Sequence, residues 1–261
     1  MKLIFKTLIL AALLALFATS AFAAEKIVIG VTPFPHADIA KIAATLLEKE
    51  GITLEIKEFN DYVTPNLALN DGSLDANFFQ HIPYLDNMVT EQKLEIAWVA
   101  KVHIEPLGLY SKKIKSLDEL AEGATIAIPN DPTNEARALR LLEKAGLLKV
   151  KEGDLVTARD ITENSRNLKI VELEAAQLPR TLEDTTASVI NTNFAGEAGL
   201  IPSKDAIVIE DKDSPYANVL VIRKADIDKP AYKALVAAFN SAEVKAFIEE
   251  QLIPKGIVPA F

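Results

Sequence analysis

The chain has 261 residues, 49% of them hydrophobic and 25% charged, which is enough for two compact domains and too apolar for bulk disorder. A net charge of −9 argues against nucleic acid or anionic lipid as a partner. The absence of cysteine excludes disulfides, thiolate catalysis and cysteine-based zinc sites.

Lys2 and Lys6 give the N-terminus a positive start, Leu8 to Phe17 is apolar without a charge, and Ala21-Phe22-Ala23 offers the small residues a signal peptidase reads. Residues 1–23 are therefore expected to be a cleaved secretory signal, with the exported chain starting at Ala24. The apolar run is at the short end of what spans a bilayer, which disfavours an anchor. Removing the segment takes away two lysines and no acid, moving the net charge from −9 to −11.

Lys26 to Val31 reads as a strand. Ile39, Ile42, Ala43, Leu46 and Leu47 then recur at helical spacing over about 37–50, and Gly51 stops the helix. Leu54 to Phe59 alternates as a strand, and a short helix over Pro65 to Asn70 ends at Asp71-Gly72. Further on, Ala124 to Ile128 is a strand and Pro132 to Lys144 a helix, opened by Asp131 as a capping side chain before a proline that lacks the N–H to be capped. Leu168 to Leu173 and Ala187 to Asn191 are further strands, and helices are expected over Lys229 to Asn240 and Ala242 to Gln251. Such alternation predicts an α/β fold with mainly parallel sheets covered on both faces, and ligands bound in the loops beyond the strand ends.

Two blocks of this kind predict two lobes. Glu105 to Ser111 and Tyr216 to Arg223 are the extended segments that would join them, giving two hinge crossings and a ligand cleft between the lobes. The expected division is 24–107 plus 206–261 for the first lobe and 108–205 for the second.

Several segments carry a resemblance. Asp61-Tyr62-Val63, Asp75 to Leu85, Tyr110 to Leu120, Ala127 to Asn134 with Arg137-Ala-Leu139, Val189 to Asn193 and Ile209 to Asn218 occur in order over nearly the whole exported chain. Together they resemble the NlpA family, the methionine-binding proteins of methionine ABC importers. The resemblance implies a two-lobed periplasmic binding protein (type II-like) that captures L-methionine or a close analogue. Its partners would be an inner-membrane permease and ATPase complex, and it would act as a monomer without a cofactor. Members are usually lipoproteins acylated on a cysteine after the signal. Here position 24 is alanine, so a periplasmic protein that is not lipid-anchored is expected.

An enclosed amino acid needs partners for its carboxylate, its ammonium and its side chain. Arg137, inside the helix that opens at the Asn130 to Asn134 loop, offers a two-pronged grip on a carboxylate. On residue type alone a solvated surface arginine is the commoner case, and the resemblance favours the carboxylate. Asn134 belongs to the same loop signature. Asn193 and Asn218, at the ends of apolar runs, offer amide oxygens that accept from an ammonium. Tyr62, Phe79, His81 and Tyr84 concentrate rings that suit a polarisable thioether, and of the adjacent Phe78 and Phe79 the family pattern selects Phe79.

Other readings remain open. The same receptor would serve another apolar amino acid or a methionine-containing dipeptide. A transition-metal receptor using His36, His81 and His103 is chemically sufficient, although the histidines are 45 and 22 residues apart with no local pair. An enzyme is not supported: no Gly-x-Ser-x-Gly or phosphate-cradling glycine motif occurs, and Glu210, Asp211 and Asp213 read as a solvated loop.

Overall fold

The computed structural model describes residues 25–211 and 214–261, and the expected signal, residues 1–23, lies outside them. β1 (Glu25–Val31) turns through Pro33–Ala37 into a helix at Asp38–Lys49, and β2 (Ile52–Glu58) returns parallel to it. A helix at Thr64–Asp71 precedes β3 (Ala76–His81), parallel to β1 on its other side, and a helix at Ile82–Gln92 precedes β4 (Ile96–Ile104). After the first crossing come β5 (Gly108–Tyr110), β6 (Thr125–Pro129) and the helix Pro132–Lys144. A small antiparallel pair follows, β7 (Lys149–Val150) with β8 (Ile161–Glu163), then β9 (Lys169–Leu173) and β10 (Ala187–Ile190). Helices at Thr192–Glu197 and Pro202–Asp205 lead to β11 (Val208–Ile209). The second crossing enters β12 (Ala217–Arg223), followed by helices at Pro230–Phe239 and Ala242–Phe247 and by β13 (Val258–Pro259).

Two main sheets result, ordered β13-β4-β12-β3-β1-β2 and β11-β5-β10-β6-β9. They are mixed and not mainly parallel as expected: β12 runs antiparallel to both β3 and β4, and β5 runs antiparallel to β10 and β11. The cause is the crossing itself. β12 comes in from the second lobe at the end where β3 and β4 leave, so Asn218 near its start lies opposite His81 and His103 near their ends. The second sheet also continues to Ile209, because β11 pairs with β5, beyond the division expected at residue 205.

Each sheet has a core on both faces. In the first lobe Ile27, Ile29 and Leu220 pack under the helices Asp38–Lys49 and Pro230–Phe239, while Val219 and Val221 face Leu69, Leu85 and Leu94 on the other side. β3 and most of β12 are buried along their length, the pattern of central strands covered on both faces. In the second lobe Ile126, Ile128 and Val189 pack against Leu139 and Leu142, and Ala127 and Ile190 pack against Leu178 and Phe194. The Pro132 helix starts as its sequence predicts, with the Asp131 carboxylate accepting from the Asn134 N–H at 3.0 Å.

Candidate functional site

The loops at the strand ends of both lobes meet in one cavity. Tyr62, Phe79, His81, Tyr84 and Asn218 from the first lobe, and Asn134, Arg137 and Asn193 from the second, all line it. Four residues that sequence reasoning did not single out join them: Gln80, Glu105, Asn191 and Thr192.

Strand alternation sorts the first-lobe residues. Successive side chains of β3 point to opposite faces, so Phe79 lines the cavity while Phe78 enters the core edge-on to His36 and Phe239, with centroids 4.7 and 5.2 Å apart. Asn66, Asn77 and Gln80 hold one another in a buried amide network that fixes the end of β3 (Asn66 Nδ2 donates to Gln80 Oε1 at 2.8 Å). Tyr62 has its ring 6.0 Å from Phe79, 5.9 Å from Tyr84 and 5.1 Å from Phe194 of the other lobe. Its hydroxyl crosses the cleft and donates to Asn193 Oδ1 at 2.5 Å. The irregular register of β12 on either side of Val219 is a device that re-aims a neighbouring side chain, here Asn218.

The polar end is built mainly by the second lobe. His81 Nδ1 accepts from the Tyr84 N–H at 3.1 Å, which leaves the ring proton on Nε2, donated to Asn134 Oδ1 at 3.0 Å. Burial, reinforced by the Arg137 charge, lowers His81 to about 3, so the ring is a neutral donor at neutral pH. Asn191 Nδ2 donates to the same Asn134 oxygen at 2.9 Å.

Arg137 differs from expectation in what it grips. Its Nε and Nη2 donate to the Glu210 carboxylate at 3.0 and 2.5 Å, and Nη2 also reaches the Glu105 carbonyl at 2.7 Å. The Tyr216 ring lies 4.1 Å below the guanidinium and 5.0 Å from His81. The two-pronged edge therefore belongs to the protein, and only Nη1 is left for a ligand. Glu210 is correspondingly no solvated loop acid: its side chain is 16% exposed and paired. Asp211 does pair at the surface with Lys144, and Asp213 lies outside the described residues.

The amide oxygens expected to receive an ammonium are also taken. Asn193 Oδ1 holds Tyr62, and Asn218 Oδ1 receives His36 Nε2 at 3.0 Å. What stays unpaired is a complementary set: Asn193 Nδ2 is a buried donor and Asn191 Oδ1 a buried acceptor, neither with a protein partner. Glu105 adds a buried carboxylate, its acidity weakened by burial, held by His103 Nε2 at 2.7 Å and by the Asn193 main-chain N–H. A native protein leaves few buried polar atoms unpaired, and two in one cavity mark a place that something else completes.

The cavity is tight, with a free volume of about 20 Å³, room for a water and little more. A recess of about 440 Å³ adjoins it, bounded by Asp61, Val63, Asn130, Asp131 and Phe194, with Tyr62 and Tyr84 as the shared wall. Entry of an amino acid requires the lobes to part and the Tyr62–Asn193 bond to break. The three-histidine arrangement does not form: His36 and His103 lie 5.0 Å apart, whereas His81 bonds to Asn134.

A sequence profile of the family described as NlpA lipoprotein matches residues 27–261. The chain belongs to the NlpA lipoprotein family. A probable D-methionine-binding lipoprotein MetQ of Vibrio cholerae is 48% identical over 223 residues, covering 84% of this chain and 83% of the relative. The D-methionine-binding lipoprotein MetQ of Salmonella typhi is 49% identical over 221 residues, covering 83% and 82%. Among solved structures, a nutrient-binding protein from Burkholderia cenocepacia bound to methionine superposes with a TM-score of 0.87 at 48% identity, over 90% of this chain and all of that one. The NlpA architecture is thus a two-lobed substrate-binding protein, and its members are binding proteins, not enzymes.

Proposed function

We propose that this protein captures methionine in the exported compartment and delivers it to an ABC importer. The observation that carries the reading is the unpaired set in the cleft: Asn193 Nδ2 as donor and Asn191 Oδ1 as acceptor, with the Glu105 carboxylate close by and a cage of Tyr62, Phe79 and Tyr84 beside them. An α-amino acid presents the complement. Its carboxylate takes Asn193 Nδ2 and Arg137 Nη1, its ammonium takes Asn191 Oδ1 and Glu105, and its thioether lies among the rings. His81, neutral and edge-on to Tyr84 at 6.2 Å, closes the cage and steadies Asn134. Asn218 ties the first lobe's His36 to the cavity wall.

L-methionine is the ligand of the main reading. D-methionine is the second, favoured by the names of the D-methionine-binding relatives. Binding works as a switch because the ligand bridges the lobes, so it prefers the closed form and the importer can recognise that form. The relatives are named lipoproteins, yet this chain has no cysteine to carry an acyl group, which supports a protein without a cysteine-linked lipid anchor. Native mass spectrometry of the exported protein tests both points. Release of methionine as cargo from an unacylated polypeptide is expected. A different cargo, or a mass increased by fatty acyl chains, contradicts the reading.

A further inference from the structure

Beside the ligand cavity lies a cluster that shares Glu105 with it and adds two histidines, His36 and His103, that do not line the cavity. His36 Nε2 stands 3.4 Å and His103 Nε2 2.7 Å from the same oxygen, Glu105 Oε1. The three donor atoms lie within 4.8 Å of one another, the only such group of His, Asp and Glu among the described residues. All three side chains are buried, with exposures of 1%, 0% and 6%. Asn218 Oδ1, 3.0 Å from His36 Nε2, borders the group.

The geometry points to a binding site for a divalent transition cation of the zinc or cobalt class, held by His36 Nε2, His103 Nε2 and the Glu105 carboxylate. Two imidazoles and one carboxylate with a fourth position open are the donor set such ions take, and that set excludes magnesium or calcium as the preferred occupant. The local chemistry agrees. The Glu105 carboxylate has no charged hydrogen-bond partner: Arg137 pairs with Glu210 and reaches Glu105 only at its carbonyl, acting on the carboxylate through its charge alone. A buried carboxylate so placed calls for a positive partner. Coordination asks each imidazole to carry its proton on Nδ1 instead of Nε2, with no net proton change. For His36 the relocated proton meets the Thr32 hydroxyl oxygen, now 2.7 Å from Nδ1. For His103 it goes to Nδ1, a buried atom without a partner.

The cation and the ligand's ammonium would share Glu105, so each should weaken the other. That competition rests on the methionine reading; the metal site itself does not. The test is titration of the purified, ligand-free protein with Co²⁺ and Zn²⁺, followed by absorption and by calorimetry, with and without methionine. Expected are one equivalent of Co²⁺ with the strong visible bands of four-coordinate cobalt, displacement by Zn²⁺, and a loss of more than about tenfold in cobalt affinity for His103→Gln. No cobalt spectrum in the wild-type protein, or an unchanged one in His103→Gln, overturns the site. Metal binding that leaves methionine affinity untouched overturns the sharing of Glu105. Metal binding by a protein that gives no methionine heat in the absence of metal supports the site and sinks only the methionine reading.

Discussion

Asn191 is the residue at which the account is most exposed. Its Nδ2 leans on Asn134, which His81 also holds, while its Oδ1 faces the cavity with no protein partner. Asn191→Ala should therefore leave folding stability nearly unchanged, within about 1 kcal/mol, and weaken methionine binding by about 1–3 kcal/mol. Paired calorimetry and urea unfolding read the two quantities, and an equal loss in both would contradict the role. His81 gives a pH prediction. Burial lowers its folded value to about 3, so the unfolded chain binds a proton that the folded one refuses as pH falls below 6.5. Stability that is fully present above pH 6.5 is lost on acidification, at about 1.4 kcal/mol per pH unit until the folded value is neared. His81→Gln removes that contribution, so its urea midpoint should fall less steeply between pH 7 and pH 5 than the wild type's. Parallel curves contradict the assignment. At this scale the sequence is legible where chemistry is local. Ring clustering marks the Tyr62 to Tyr84 stretch, although choosing Phe79 over Phe78 took the family resemblance, and Asp131 before Pro132 announces its cap. Asn191 escapes because its partner Asn134 lies 57 residues away, and Glu105 because its burial comes from both lobes meeting around it. Arg137 is found but its grip is misjudged, since Glu210 lies 73 residues away.

At the scale of elements, one contact between the lobes leaves no room for a side chain. The Phe34 ring, in the turn after β1, lies against Gly196 in the helix Thr192–Glu197, with Lys255 Nζ 4.8 Å from the ring centroid. A Cβ added at Gly196 would meet Phe34 Cδ1 and Cε1 at 2.3 and 2.4 Å. Gly196→Ala should therefore prop the lobes apart, lowering methionine affinity by about 1–3 kcal/mol while each core stays intact. Small-angle scattering with saturating methionine should show a more extended particle than the wild type. An identical profile and affinity would mean the ring yields without moving the lobe. Sequence periodicity locates the helices Asp38–Lys49, Pro132–Lys144 and Pro230–Phe239 within a residue, because apolar spacing and stop signals are local, but it passes over Ile82–Gln92. It misses the antiparallel course of β12, which follows from the direction of a crossing between two domains and not from any property of Tyr216 to Arg223 themselves.

For the whole molecule, two lobes with separate cores and a polar cleft between them make closure a matter of differential affinity. The ligand favours closure only through contacts it makes with both lobes at once, which is what the division of rings and amides between them supports. The two-lobed plan and the exported, acidic character are readable from block structure and composition. The cleft's internal pairing is not, because it forms only when loops from both lobes meet. The measurement that bears most directly on the central claim is calorimetric titration of unfolded-and-refolded, ligand-stripped protein with L-methionine, repeated with D-methionine. Saturable one-to-one binding of L-methionine at micromolar affinity or tighter is expected. A folded protein that gives no heat and no thermal shift with either enantiomer would contradict it, and would mean that the family fold here holds another ligand.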